Sequence, residues 1–390
     1  MVEGREDVPI VNGPLARLFA EPVGCADDLT GALDSAVSFC GSLGPIPVFL
    51  GAPHDPSTGH AAVDLATRDA NAEFASLATL RVARRLAAAD IAYKKIDSRL
   101  RGHWAIELAA LMGTGAFNTC VCAPAFPSQG RTTLNGRQLV RAADGSSSAI
   151  AVDLVGALRS LGLHVVCASA PDQAELNASV SSGPCVVVFD AATDEDLRAV
   201  VRWGSQRNKP VLWCGSAGLA RALAQLEPPR MTTILRPVLA VIGTDDAVSR
   251  AQIEHVVSQG SAPQVVVAQD VAQAATETRH AFEQKGRCLM TFEIPRHMAA
   301  ADAATSIGQT LRDRLPLIPR PSALVVAGGE TLLSVCRAVG ATYLEVGAEF
   351  SPGVPCSRLC SGIWDGIDVV SKSGAFGDSR LLAELFSCAR

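Results

Sequence analysis

The chain has 390 residues, 48% hydrophobic and 19% charged, with a net charge of −5, the profile of a globular protein with room for about two cores. The acidic balance argues against a general binder of nucleic acids or membrane surfaces, so neither is expected as a partner. The opening MVEGREDVPIVNG lacks the basic start and apolar run of a secretory signal, and no apolar run approaches a membrane span, so a cytoplasmic location is expected.

Short β-branched runs alternate with Ala- and Leu-rich stretches. In chain order the predicted strands are PVFLG (47–51), IAYKKID (91–97), TCVCAPAF (119–126), HVVCAS (164–169), CVVVFDA (185–191) and PVLWCG (210–215). Helices are predicted over 66–89, 151–161 and 193–207, and SSSAIA (146–151) reads as a loop entering a helix. LEPPRMTTILRP (226–237) has paired prolines and no periodicity, so it reads as an interdomain crossing. Strands resume with VLAVIG (238–243), QVVVAQD (264–270), CLMTFEI (288–294) and ALVVAGG (323–329). SRLCSGIWDGIDVVSKSG then reads as a hairpin around Trp364-Asp365-Gly366. Continuous apolar strands separated by helices predict an α/β fold with largely parallel sheets, in two domains spanning about 1–229 and 235–390.

In such sheets ligands sit beyond the carboxyl ends of the strands, and six polar or glycine-rich strand ends are present. ADDLTGA (26–32) pairs Asp27 with Asp28 at a helix start. A single Asp there is an ordinary N-cap, but two need a partner, such as the hydroxyls of a polyol. YKKIDSRLRGH (93–103) crowds charge into a strand end. Alternation puts Lys94 and Lys95 on opposite faces, and Arg101 with one Lys suits a carboxylate or phosphate. APAFPSQGRTTLNG (123–136) reads as a rigid, non-helical loop offering Arg131, Thr132, Thr133 and Asn135, or simply as a turn. CGSAGLARALA (214–224) carries Ser216 into a helix N-terminus, a generic anion cradle. AGGETLLSVCRAVG (327–340) repeats the strand–glycine–helix pattern, and in VVSKSGAFGD (369–378) Lys372 sits between a strand and two glycines. IGT (242–244) belongs with these last two sites. No Walker A loop and no GxGxxG is present. The missing dinucleotide fingerprint argues against a dehydrogenase on this scaffold.

The 12 cysteines and 7 histidines are scattered without zinc spacing, so no metal site made by the protein alone is expected. Of the 34 basic residues only five are lysines, namely Lys94, Lys95, Lys209, Lys285 and Lys372. A lysine inside a motif therefore points to a wanted point charge.

Taken together and in order, ADDLTGA, KKIDSRLRG, APAFPSQGRTTLNG, CGSAGLA, GGET and KSGAFGD resemble the four-carbon acid sugar kinases over almost the whole chain. The family's usual DSTLRGN is here DSRLRGH, with Arg99 and His103 replacing Thr and Asn. The resemblance implies ATP-dependent phosphorylation of the 4-hydroxyl of an acid such as threonate, erythronate or 3-oxo-tetronate. It implies an acid-binding N-terminal domain, a nucleotide-binding C-terminal domain and an active site in the cleft between them. The acid contacts it implies are Asp27, Asp28, Lys95, Asp97, Ser98, Arg101 and Ser216, to which Arg131 is added from its loop. One of Asp27 and Asp28, with Asp28 favoured, would take the hydroxyl proton, and Arg101 would hold the carboxylate or the γ-phosphate. The nucleotide contacts it implies are Thr244, Gly328, Gly329, Glu330, Thr331, Gly374 and Gly377, with Lys372 as a further phosphate contact. The partners are a small sugar acid and ATP, with Mg²⁺ carried by the nucleotide, and the scaffold allows a homo-oligomer. The rival reading is a sensor that binds these ligands without transfer.

Overall fold

The computed structural model describes residues 22–51, 59–142, 145–169, 176, 180, 183–224, 226–260, 262, 264–267, 271–293 and 298–390. The acidic opening segment and the ends of the strands predicted over 264–270 and 288–294 lie outside the described residues.

A 15-stranded sheet runs through the molecule. From its front edge the order is Val165–Ala168, Cys185–Phe189, Thr119–Ala123, Val211–Gly215, Ile91–Lys95, Pro22–Ala26, Ala61–Asp64 and Ile46–Leu50, all parallel. The back half contributes Asp368–Lys372, Ala323–Ala327, Val238–Ile242, Arg287–Phe292 and Gln264–Val267, also parallel. Between them stand Tyr343–Ser351 and Val354–Cys360, joined by antiparallel pairing. Tyr343–Ser351 pairs directly with Ile46–Leu50, so one ladder of hydrogen bonds crosses from front to back.

The predicted α/β class with largely parallel strands therefore holds. Strands such as Cys185–Phe189, Val211–Gly215, Val238–Ile242 and Ala323–Ala327 are buried at every position. Helices cover both faces of the sheet, so continuous apolar runs are what such strands require. The helix Leu29–Ala36 is likewise buried at every residue. It packs against the front helix Ala217–Ala224 and the back helix Gly329–Val339, which accounts for its apolar, small-residue sequence.

Four local expectations are corrected. The helix predicted over 66–89 starts at Ala72, capped by Asn71. Residues 66–71 instead form the loop that follows an unexpected strand, Ala61–Asp64. Asp64 accepts from the Ala66 N–H (2.8 Å) and Ala66 takes φ +51°, which blocks a helix at that point. The strand Tyr343–Ser351 went unread because its alternation is half polar. The stretch 123–136, expected as a rigid, non-helical loop, is not a loop throughout. It makes a 3₁₀ turn, Pro127–Gln129, and the strand Arg131–Leu134. Asn135 and Gly136 both have positive φ (52° and 69°), as a type I′ hairpin turn demands, and lead into Arg137–Arg141. SSSAIA is not a bare loop either, since Ser147–Ala149 is the third strand of that small antiparallel sheet. The hairpin around Trp364-Asp365-Gly366 forms as expected.

Lys94 and Lys95 do point to opposite faces. Lys94 is fully buried and pairs with the equally buried Glu107 at 2.7 Å. Burial alone would lower its proton affinity, but Glu107 outweighs that and holds it charged, well above the usual lysine range. Removing one partner leaves an uncompensated buried charge. Lys94→Met should therefore lose about 3–5 kcal/mol of stability in urea unfolding, and adding Glu107→Leu should restore most of it.

Candidate functional site

The carboxyl ends of the parallel strands of both halves open on one cavity of about 2180 Å³. Single small-molecule pockets run to roughly 1,000 Å³, so the space suits two ligands side by side. Of the expected site residues, Asp28, Lys95, Asp97, Ser98, Arg101, Arg131, Ser216, Thr244, Gly328, Gly329, Glu330, Thr331, Lys372 and Gly374 line it. Asp27 and Gly377 are not part of its wall.

The strand Pro22–Ala26 delivers the two acids. Asp28 is the N-cap of the helix Leu29–Ala36, accepting from the Gly31 N–H (2.9 Å) and the Thr30 hydroxyl (2.7 Å). Asp27 is buried behind it. The loop after Ala61–Asp64 brings Arg68, which sequence reading missed, onto both acids. Its Nε donates to Asp27 (2.8 Å), and its Nη2 reaches Asp27 (3.0 Å) and Asp28 (2.9 Å). The same guanidinium lies 3.6 Å from Asp97. Burial opposes the charge on Arg68, but Asp28, Asp27 and Asp97 hold it fully protonated. Burial alone would also raise Asp27, yet Arg68, Lys95 and Lys94 bring its carboxyl below the usual range.

The strand Ile91–Lys95 ends in the second charged group. Asp97 accepts from Arg101 Nε (3.1 Å) and Nη2 (2.7 Å). Although burial disfavours its charge, Arg101 and then Arg68 and Lys95 hold its carboxyl well below the carboxylate range. Lys95 is buried on the cavity wall, and its ammonium makes neither hydrogen bond nor ion pair among the described residues. A Cβ on Gly31 would sit 2.9 Å from that ammonium, so the glycine makes room for it. Arg131 is buried with its Nε unpartnered among the described residues. Burial, then Arg99 and Arg101, disfavours its charge more than Asp97 favours it. Ser216 is spoken for, donating to the Ala125 carbonyl (2.7 Å) and accepting from the Gly218 N–H (3.2 Å). The front wall is thus an acidic group locked by Arg68, beside cations short of anions.

The back wall is backbone. Gly243-Thr244, Gly328 to Thr331 and Ser373-Gly374 follow Val238–Ile242, Ala323–Ala327 and Asp368–Lys372. A Cβ on Gly243 would lie 2.5 Å from Thr331 Oγ1, and one on Gly374 would lie 2.6 Å from Thr244 Oγ1. The three turns close on each other only because these positions carry no side chain. Gly329 opens a helix whose first residues line the cavity, and a helix N-terminus favours anions. A Cβ on Gly329 would sit 2.8 Å from Asp28 Oδ2, so the two walls touch there. Burial, then Asp69, raises the Glu330 carboxyl.

Two expected nucleotide residues play other parts in the geometry. All three Lys372 donors are used, on the Ser249 hydroxyl (3.1 Å) of the helix Ala247–Ser258, the Ser373 carbonyl (3.0 Å) and the Gly374 carbonyl (3.2 Å). Burial lowers its pKa to about 8. Gly377, at φ +84°, turns the chain against Leu381, which leaves no room for a Cβ.

A family model described as a sugar-binding N-terminal domain matches residues 23–223, and one described as a nucleotide-binding C-terminal domain matches 239–382. The D-threonate kinase of Cupriavidus necator is 30% identical over 407 residues, 92% of this chain and 95% of that one. The chain belongs to the four-carbon acid sugar kinase family. Within that family, the D-erythronate kinase of Heliobacterium modesticaldum is 26% identical over 412 residues, covering 91% of this chain and 93% of that protein. A crystal structure from Salmonella typhimurium LT2 shares the fold at a TM-score of 0.69 and 21% identity, over 95% of this chain and 99% of that one.

For this member of the four-carbon acid sugar kinases, the sequence held a signal for Arg68 in AAVDLATRD, a short apolar run ending in charge. Asp34 was missed as well. It lines the cavity with one oxygen unpartnered among the described residues, and burial raises its carboxyl to about 6.

Asp27 and Asp97 have depressed folded-state pKa values, so their contribution to stability is complete above the unfolded carboxylate value of ~3.9 and fades as pH falls below it. Arg68→Ala should lose about 3–5 kcal/mol at pH 7 and less near pH 3, where the carboxylates left without Arg68 take up protons in the variant, measured by urea unfolding at both pH values.

Proposed function

We propose that the protein is an ATP-dependent kinase that phosphorylates the terminal 4-hydroxyl of a four-carbon sugar acid of the threonate, erythronate or 3-oxo-tetronate type. The observation that carries this reading is the meeting of Asp28 with the Gly329 turn. A carboxylate able to take a hydroxyl proton lies against a helix N-terminus suited to a phosphate, in a cavity with room for both substrates. The names of the family models and of the relatives support the same assignment.

In this reading the front half, 1–229, holds the acid and the back half, 235–390, holds the nucleotide. Lys95, Arg101 and Arg131 receive the substrate carboxylate, whose charge relieves the repulsion among these cations. Asp97, held ionised by Arg101, and the Ser98 hydroxyl face the substrate hydroxyls. Asp28 accepts the proton of the 4-hydroxyl as its oxygen bonds to the γ-phosphorus and ADP leaves. Asp27 acts through Arg68, which fixes the orientation of the Asp28 carboxylate. Thr244, the Gly328 to Thr331 turn and Gly374 cradle the phosphates with backbone N–H and hydroxyl groups, while Lys372 braces the last of these turns.

Among the described residues no cluster of three or more His, Cys, Asp or Glu could hold a metal ion. Asp28 and Glu330 beside the phosphate-facing helix end suit a divalent ion carried by the nucleotide. Mg²⁺ held in this way would neutralise charge on the phosphate oxygens. The chemistry otherwise rests on alignment and on excluding water when the two walls close on the substrates.

A coupled ADP-release assay with threonate, erythronate and their 3-oxo forms tests the assignment. ADP release that depends on at least one acid is expected. Binding of acid and nucleotide without any release would mark a sensor. Asp28→Asn should lower turnover by on the order of 10²-fold or more with the fold intact, and unchanged turnover removes it as the base. Arg101→Ala should raise the apparent KM for the acid, and an effect confined to ATP would reassign it.

A further inference from the structure

The turn Ser373–Gly377 belongs to the back wall, but one of its side chains reaches the front. The turn is pinned to the helix Ala247–Ser258. Ser249 donates to the Gly374 carbonyl (2.8 Å), and Gln252 donates to the carbonyls of Phe376 (3.1 Å) and Asp378 (2.8 Å). From this anchored turn the Phe376 ring, on the cavity wall, reaches residues of the front half. It meets Phe126 edge-on at 6.4 Å and lies under the Arg131 guanidinium at 5.8 Å. The ring also presses on Gly353, where a Cβ would come within 2.6 Å of it and where φ is +82°. Phe376 is thus wedged between the turn after Tyr343–Ser351 and the loop that carries Arg131.

We propose that Phe376 is a positioning residue that couples the two half-sites: an occupied Gly374 turn holds the Phe376 ring, and the ring holds Arg131 ready for the acid. This rests on the half-site assignment above and deepens it. Two features support the coupling. Arg131 has few polar anchors: among the described residues its guanidinium donates only to Gln129, in the 3₁₀ turn before its strand, and its Nε has no partner. The face of Phe376 is therefore a main restraint on where that cation sits, and such a contact gains strength as the site is desolvated. The backbone of the same turn packs on Thr244, so a ligand held by Thr244 and Gly374 bears on the ring two residues on. Free energy exchanged through this contact is reciprocal, so the acid must favour the nucleotide by the factor with which the nucleotide favours the acid.

Calorimetric titration of D-threonate and D-erythronate, with and without the β,γ-imido analogue of ATP and Mg²⁺, reads the coupling directly. In the native protein the analogue should tighten binding of the acid by about fivefold or more, within the usual range of such linkage. Phe376→Ala should bring that ratio to about one while each ligand alone still binds, and Phe376→Tyr should retain it. Phe376→Leu keeps apolar bulk without the ring face, and it should uncouple the sites even if the alanine variant fails to fold. A native-like ratio in Phe376→Leu, or a native protein that binds both ligands independently, overturns the proposal while leaving the half-site assignment standing. Failure of the native protein to bind the analogue, or to bind any of threonate, erythronate and their 3-oxo forms, sinks the assignment and the coupling together.

Discussion

The site depends on one guanidinium shared by three carboxylates. Asp27, Asp28 and Asp97 stand at the ends of two neighbouring parallel strands, and without a cation they would repel one another. Two like charges 4 Å apart cost about 4 kcal/mol at an effective dielectric constant of about 20. Arg68 removes that cost by donating to Asp27 and Asp28 and lying 3.6 Å from Asp97. Its planar fork matters, because a lysine at the same place is a point charge with no fixed directions. Everything facing the cavity from the front is then set by this arrangement: Asp28 is aimed, Asp27 is retired behind it, and Asp97 is left to Arg101.

The same economy ties fold to chemistry along the helix Leu29–Ala36. Asp28 caps it, Gly31 makes room for the Lys95 ammonium, and the back helix begins against the Asp28 carboxylate at Gly329. A helix buried on every face between two halves cannot shift without moving both walls. The antiparallel pairing of Tyr343–Ser351 with Ile46–Leu50, and the buried Glu349 held by Arg221 and Arg230 (3.1 Å to the latter), also fasten the halves together. Phe376 and Phe126, both on the cavity wall, add a contact between the two halves.

Much of this was legible in the residues. The acid pair, the charged end of Ile91–Lys95 and the three glycine turns were found because strand-end chemistry is local: a β-branched run, then Gly, Asp or Lys. What was missed was either short or non-local. Ala61–Asp64 is a four-residue strand with an alanine pair, indistinguishable by period from the helix that follows. Losing it concealed Arg68. Asn135-Gly136 was a hairpin signal that the surrounding prolines masked. Lys372 read as a phosphate contact from a lone lysine among glycines, and it does line the cavity, but its hydrogen bond to Ser249 of a distant helix had no sign in the sequence.

By itself the sequence determined the α/β class, the strand ends that carry polar chemistry and the places where a side chain could not be tolerated. Each of these follows from the conformational preferences and hydropathy of residues close together in the chain. Only the tertiary structure decided which strand ends share a cavity, that Asp28 rather than Asp27 faces it, and that Phe376 reaches the front half. Those outcomes depend on the order of strands in a sheet and on contacts such as Arg68 with Asp27, 41 residues apart, or Phe376 with Phe126 from opposite halves. A linear pattern carries no term for packing at that range.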